Sequence, residues 1–200
     1  LYGRLEGSPQ GDISAAVEEF LTGRRAVIDH DSVLATVLAL ELASATQCSA
    51  ELGEAAWSDR HQRARELIEG IIERFHGRRI VVADARTLAA FDGPARAVRC
   101  AKAIRAALDE LGLTIRAGLH AGELSLGGDA TSGIAVLAAS RIAAAAAPMD
   151  ILASSTVRDL VAGSGLMFKE HGSYTLGGSV GALRVHSVVD SVPLATQGPT

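Results

Sequence analysis

Few residues in this sequence have a type and spacing that could do chemistry, and the most conspicuous is Asp84. It lies in IVVADARTLAAFDG (80–93), where two short apolar runs flank the break Ala-Asp-Ala-Arg. This pattern predicts a β-hairpin, although the break lacks the glycine that such a turn favours. Taken alone, an aspartate at the tip suggests a catalytic carboxylate. Hydrogen bonding to its own backbone at a turn explains the same residue equally well.

Other residue types that build reactive sites do not form the required patterns. The six histidines include no HxxxH or HExxH pair, and Cys48 and Cys100 lack the spacing of zinc ligands or of a disulfide framework. The stretch GGDATSG (127–133) resembles a phosphate cradle, but no Walker lysine follows it. The sequence therefore predicts neither a transition-metal site nor a P-loop.

Length, charge and apolar content narrow the class of protein. With 200 residues, of which 48% are hydrophobic, the chain is long enough for one main domain with its own core. A net charge of -4 provides no basic field for a phosphate backbone, so nucleic-acid binding is not predicted. No apolar run approaches the roughly 20 residues of a membrane span, and no signal peptide is evident. We expect a cytoplasmic protein without membrane insertion.

Hydrophobic periodicity predicts alternating strands and helices from Ser32 onwards. The predicted elements are a buried strand in VLATVLALEL (33–42), a helix over 54–75, hairpin strands over 79–83 and 87–91, a helix from Pro94, a strand in LTIRAGLHAGE (113–123), a helix over 133–147, a strand in DILAS (150–154), a short helix capped by Ser154 or Ser155, and strands over 166–176 and 182–189. This order predicts an α+β, ferredoxin-like sandwich, with helices on one face of a mostly antiparallel sheet.

Residues from Ser32 to about Val189 resemble the catalytic domain of class III adenylyl and guanylyl cyclases, in the bacterial form. The resemblance is carried by AELGEAAW, AFDGPARAVRCAKAIR, IRAGLHAGE, GIAVLAASRIAAAAAP and SSTVRDLVAGSGLMF, which occur in the family's order. It implies the cyclase-type sandwich and a homodimer with two active sites at its interface. In the family, two aspartates at each site bind two divalent ions, Mg²⁺ or Mn²⁺, which activate the ribose hydroxyl for attack on the α-phosphate.

At the positions of the metal ligands, the sequence departs from the family's pattern. The stretch ALELASAT matches the family's F-T-D-I-x-G-S-T and places Glu41 where the first metal aspartate belongs. Aligned without a gap from AFDG, the hairpin places Ala85 at the second metal aspartate, Asp84 at a glycine and Val81 at the base-reading lysine. Because a one-residue shift in a strand turns a side chain to the opposite face, Asp84 is out of register as a ligand.

The remaining positions implied by the resemblance lie around the third long helix. Ala130 stands at the base-reading aspartate and Leu137 at the asparagine that steadies the ribose, whereas Arg141 matches the arginine that stabilises the transition state. Only Arg141 is unchanged, and Glu41 is a conservative replacement. Arg116 and His120, which lie on one face of the predicted strand, are interpreted as structural or interface groups.

These departures lead to three functional hypotheses. The leading one is a pseudo-cyclase that acts as a regulatory or dimerisation module in cyclic-nucleotide-type signalling and needs no cofactor. The second is an active cyclase that makes cAMP or cGMP with Mg²⁺ or Mn²⁺ held by Glu41 and Asp84. The third is a domain that senses a nucleotide or another small molecule in the interface cleft.

The ends of the chain are predicted to be separate from the cyclase-like domain at 32–190. Residues 1–31 are predicted to form a short helix and a charged linker. Within them, DISAAVEEFLTG (12–23) resembles the last helix of an α/β-hydrolase domain, so we expect these residues to end a preceding domain. A fused or interacting hydrolase or another effector domain is the expected partner beyond the homodimer. The polar tail, 191–200, is predicted to be disordered.

Overall fold

Seven strands and four helices make up the part of the chain that the computed structural model describes, residues 32–43, 54–83, 86–125, 133–175 and 181–190. The elements are β1 (Ser32–Ala43), α1 (Glu54–Arg74), β2 (Arg78–Ala83), β3 (Arg86–Phe91), α2 (Pro94–Glu110), β4 (Thr114–Ser125), α3 (Ile134–Ala145), β5 (Ile151–Ser154), α4 (Ser155–Leu160), β6 (Met167–Thr175) and β7 (Ala182–Val189). Every strand and helix predicted from Ser32 onwards is confirmed, with bounds within about two residues. Residues 1–31 and 191–200 lie outside the described part, so the division into domains stays a prediction.

The strands form one sheet in the order β2-β3-β1-β4-β5-β7-β6. All neighbouring pairs are antiparallel except β4 and β5. The longest ladder joins β1 and β4 over their full lengths, from the pair Ser32 and Ser125 to the pair Ala43 and Thr114. This central pair holds the residues on which the candidate site depends, because its register decides which side chains share a face.

One face of the sheet carries the larger core, and α1, α2 and α4 contribute to it. Side chains point to alternate faces along a strand, so every second residue of β1 and β4 packs against these helices. The helical residues buried there are Ala64, Ile68, Ile72, Ala97, Val98, Cys100, Ala101, Ile104, Leu108 and Val157. Burial raises the pKa of the Cys100 thiol to about 12, so Cys100 acts as a small apolar core residue rather than a reactive thiolate.

The opposite face is covered by α3, so the expectation that all helices lie on one face is wrong. Small residues of α3, Ala135, Ala139 and Ala143, pack against the side of β1 that carries Val37 and Ala39. A Cβ atom built on Gly118 of β4 would lie 2.3 Å from the carbonyl oxygen of Ala139 and 2.3 Å from the backbone nitrogen of Ala143. The helix backbone therefore rests directly on the sheet. The alanine-rich sequence of α3 does not by itself predict this contact.

No helix in the described part of the chain is both long and apolar enough to cross a membrane.

Candidate functional site

Glu41 lies near the end of β1, and its register neighbours on both adjacent strands are arginines. It pairs with Arg86 of β3 and with Arg116 of β4. Residues directly opposite each other in antiparallel strands have Cβ atoms about 4.5–5.5 Å apart and lie on the same face. Glu41 is therefore the centre of a cross-strand row of three charged residues, on the face that α3 covers.

This row does not fit a pair of divalent cations. By strand register, Glu41 has an arginine position on each side, and positive charge at such positions disfavours binding of Mg²⁺ or Mn²⁺. Glu41 is half-buried and interacts with another group, and its Oε1 atom is shielded from solvent. A bound Mg²⁺ ion, in contrast, usually keeps several water molecules. Within the residues described, no group of three or more His, Cys, Asp and Glu side chains could hold a metal ion.

Several of the predicted site residues fall outside the described part of the chain. Asp84 and Ala85 at the hairpin tip and Ala130 in the glycine-rich stretch are among them. Val81 lies in β2, opposite Leu88 of β3. The register shift that separates Asp84 from the metal position therefore remains a prediction from the sequence.

Leu137 and Arg141 lie one turn apart on α3, as their spacing predicts. Both side chains are on the outer surface of the helix, and Leu137 is 41% exposed. Arg141 forms no ion pair with any other residue that the structure describes. Ile134, three residues before Leu137, is also exposed at 46%. This surface of α3 thus combines two exposed apolar side chains with a cation.

His120 of β4 and Ser154 of β5 form a buried polar pair, four residues along β4 from Arg116. The Nδ1 atom of His120 lies 2.9 Å from the hydroxyl of Ser154, and that hydroxyl also accepts a hydrogen bond from the backbone N–H of Val157 at 3.4 Å. Both partners are satisfied when the hydroxyl donates to Nδ1 of a neutral imidazole. Burial lowers the pKa of His120, which favours this neutral form. The pair is structural: it fixes the start of α4 against β4.

The sequence did not identify the arginine row as a unit. The sequence predicts a structural or interface role for Arg116 and shows no pattern that marks Arg86. Their relation to Glu41 depends on the register of three strands that are far apart in the chain. A charge near the end of each strand was visible in the sequence, but the pairing of the strands was not.

Comparison with known proteins relates this arrangement of elements to one group of enzymes. No protein-family model matches the chain, and no curated protein matches it in sequence. Solved structures do match. The adenylyl cyclase CyaB from P. aeruginosa has 21% sequence identity and a TM-score of 0.73, over 82% of this chain and 98% of that chain.

Two further matches have similar coverage. An adenylate/guanylate cyclase/hydrolase from Silicibacter pomeroyi has 25% identity and a TM-score of 0.71, over 80% of this chain and 99% of that chain. A non-canonical dimeric guanylyl cyclase domain from the fungus Blastocladiella emersonii has 16% identity and a TM-score of 0.70, over 79% of this chain and 97% of that chain. The chain therefore has the fold of the class III adenylyl and guanylyl cyclase catalytic domains, as its sequence motifs imply.

Proposed function

We propose that this chain is a pseudo-cyclase, a cyclase homology domain that no longer forms cyclic nucleotides and acts as a regulatory or dimerisation module. The observation that carries the proposal is the row of Arg86, Glu41 and Arg116, in which the only carboxylate at a metal position has arginines as neighbours on both strands. Two-ion catalysis needs carboxylates that bridge two cations at the reacting oxygens. Here arginine positions occupy that neighbourhood, so the main electrostatic stabilisation of the transition state is lost.

Leu137 provides independent support from the other half of the site. An exposed leucine cannot donate or accept the hydrogen bonds that an asparagine at this position would make with a ribose. In a symmetric homodimer, each active site would combine the Glu41 row of one subunit with the Leu137 surface of the other. Both subunits carry both changes, so neither can complement its partner.

Purified protein supplied with ATP or GTP and either Mg²⁺ or Mn²⁺ is expected to form no cyclic nucleotide. The variant Glu41→Ala serves as the matched background, and an active class III cyclase assayed in parallel checks the assay. Product formation by the wild type at the level of Glu41→Ala agrees with the proposal. Clear turnover that Glu41→Ala abolishes would refute it and would favour the alternative of an active site built from Glu41 and Asp84.

The outer surface of α3 supports a homodimer as the working state of the module. Exposed apolar side chains of this size are more often interface residues when they adjoin one another, as Ile134 and Leu137 do. The Blastocladiella emersonii domain with the same fold is a non-canonical dimer, so this fold can self-associate. The Silicibacter pomeroyi protein, whose name combines cyclase and hydrolase, makes a hydrolase domain the proposed fused or interacting partner. The coding sequence upstream of Leu1 would reveal such a fusion.

Leu137→Asp is expected to weaken dimerisation at least about tenfold, because the charge enters the interface once from each subunit. Sedimentation equilibrium over a range of concentrations measures the effect. Leu160→Asp is the matched control, since Leu160 is also an exposed leucine, at 57%, but lies on α4. A wild type that stays monomeric at high concentration, or equal weakening by both variants, would contradict the proposed interface.

A further inference from the structure

A cavity of about 290 Å³ lies at the end of the sheet away from Glu41. It is formed where β1 begins, β3 ends and β2 starts, with Leu124 of β4 beside them. Ala35, which lines it, is six residues before Glu41 along β1, and at about 3.3 Å per residue the cavity is roughly 20 Å from the Glu41 row. The cavity is therefore separate from the cyclase-like site.

The walls of the cavity are apolar and its rim carries positive charge. Aliphatic and aromatic side chains form the walls. These are Val33, Leu34, Ala35, Ile80, Ala90, Phe91 and Leu124. At the rim, Arg78 and Arg79 lie next to His76. An apolar cleft with a few polar groups at one side is the usual form of a small-molecule site.

The charges at the rim are not equivalent. Arg79 forms an ion pair with Glu69, and the one acidic side chain of the rim, Asp92, is held by Arg96 at 2.6 Å. Arg78 has no ion-pair partner among the residues that the structure describes. The rim therefore offers one uncompensated guanidinium, which favours an anion and can bind a carboxylate through two parallel hydrogen bonds.

Two departures from regular backbone geometry meet at the same cavity. His76 has a φ of 55°, in the left-handed region, where it ends α1 while the N–H of Gly77 bonds to the carbonyl of Ile72. A glycine would take this position without the steric cost that a side chain brings. The register between β2 and β3 shifts between Arg79 and Val81, so Ile80 is an extra residue of a β-bulge. Such features occur disproportionately at functional sites.

We propose that this cavity binds a small apolar carboxylate, with the carboxylate at Arg78 and His76 and the hydrocarbon part against the apolar walls. A volume of about 290 Å³ lies at the lower end of the roughly 300–1,000 Å³ that is typical of ligand pockets, so the cavity suits a small ligand. That size matches a medium-chain fatty acid such as octanoate. The site gives the module a ligand that is unrelated to nucleotides.

The test uses octanoate as the probe and the full 200-residue chain. Isothermal titration calorimetry is expected to show binding to the wild type, and octanoate is expected to raise the melting temperature because it binds the folded state only. Octanamide, which has the same number of non-hydrogen atoms but no charge, is expected to bind at least about tenfold more weakly. Absence of octanoate binding at millimolar concentration, or equal binding of octanamide, would overturn the proposal.

Variants locate the site on the molecule. Arg78→Gln is expected to weaken octanoate binding about tenfold, whereas Arg63→Gln, which removes the same charge from an exposed position on α1, should leave it unchanged. His76→Gly should weaken binding while it raises or preserves the melting temperature of the free protein, since it removes the left-handed side chain. Equal affinity of the wild type, Arg78→Gln and His76→Gly would place the ligand elsewhere and refute the assignment.

Discussion

Replacing Gly118 by alanine is expected to lower the free energy of unfolding by about 3 kcal/mol or more. The added Cβ atom would lie 2.3 Å from two backbone atoms of α3, those of Ala139 and Ala143, and a helix backbone cannot move aside as a flexible side chain can. α3 would have to lift from the sheet, and its alanines would lose their contacts with β1. Against a typical total stability of about 5 to 15 kcal/mol, a loss of this size removes roughly a fifth to more than half of the stability.

Urea denaturation followed by circular dichroism measures the change, and Gly70→Ala is its matched control. Gly70 lies inside α1, and a Cβ atom there meets nothing within 4 Å. Alanine should therefore stabilise the helix by about 0.5 to 1 kcal/mol. The same substitution thus has opposite expected signs at the two positions. A Gly118→Ala protein as stable as the wild type would show that α3 does not rest on the β4 backbone.

The contrast between these two glycines shows what the sequence could predict. Hydrophobic periodicity predicts each strand and helix from β1 to β7. Apolar residues recur every second residue on the buried side of a strand and about every 3.6 residues on the buried side of a helix. Periodicity could not place α3, since Ser140 and Arg141 are the only polar residues in the alanine-rich stretch 135–147 and do not define a polar face. The close approach of α3 to the sheet depends on Gly118, a single residue in another element.

The candidate site, too, could be predicted from the sequence only in part. The resemblance to cyclases located Glu41, Leu137 and Arg141, and the structure places each on the predicted element. The arginine neighbours of Glu41 and the cavity at Arg78 depend on strand register and on a β-bulge, which no local pattern in the sequence reports. Motifs therefore predict at which positions the sequence departs from the family's pattern. Only the fold indicates what stands in their place.

Ser154→Ala is expected to lower the free energy of unfolding by about 2 to 4 kcal/mol. The hydroxyl caps α4 at the backbone N–H of Val157, and losing such a cap costs about 1 kcal/mol. It is also the partner of Nδ1 of His120, and leaving a buried polar atom without a partner costs about 1 to 3 kcal/mol more. The sequence left Ser154 and Ser155 as alternative caps, so Ser155→Ala is the matched control and should change stability by less than about 0.5 kcal/mol. Equal effects of the two variants would reject this assignment.

The direction in which the free energy of unfolding changes with pH follows from two histidines, His120 and His186. Burial lowers the pKa of His120 in the folded protein, and His186 shifts in the same direction because of burial and the nearby Arg158. Near pH 6.5 and below, the unfolded chain binds protons at these histidines more readily than the folded protein does. Their neutral forms therefore contribute stability that is present above about pH 6.5 and is lost as the pH falls towards the lowered pKa values. Urea denaturation at pH 7.5 and 5.5 should show the wild type less stable at the lower pH, and an increase in stability at pH 5.5 would contradict this sign.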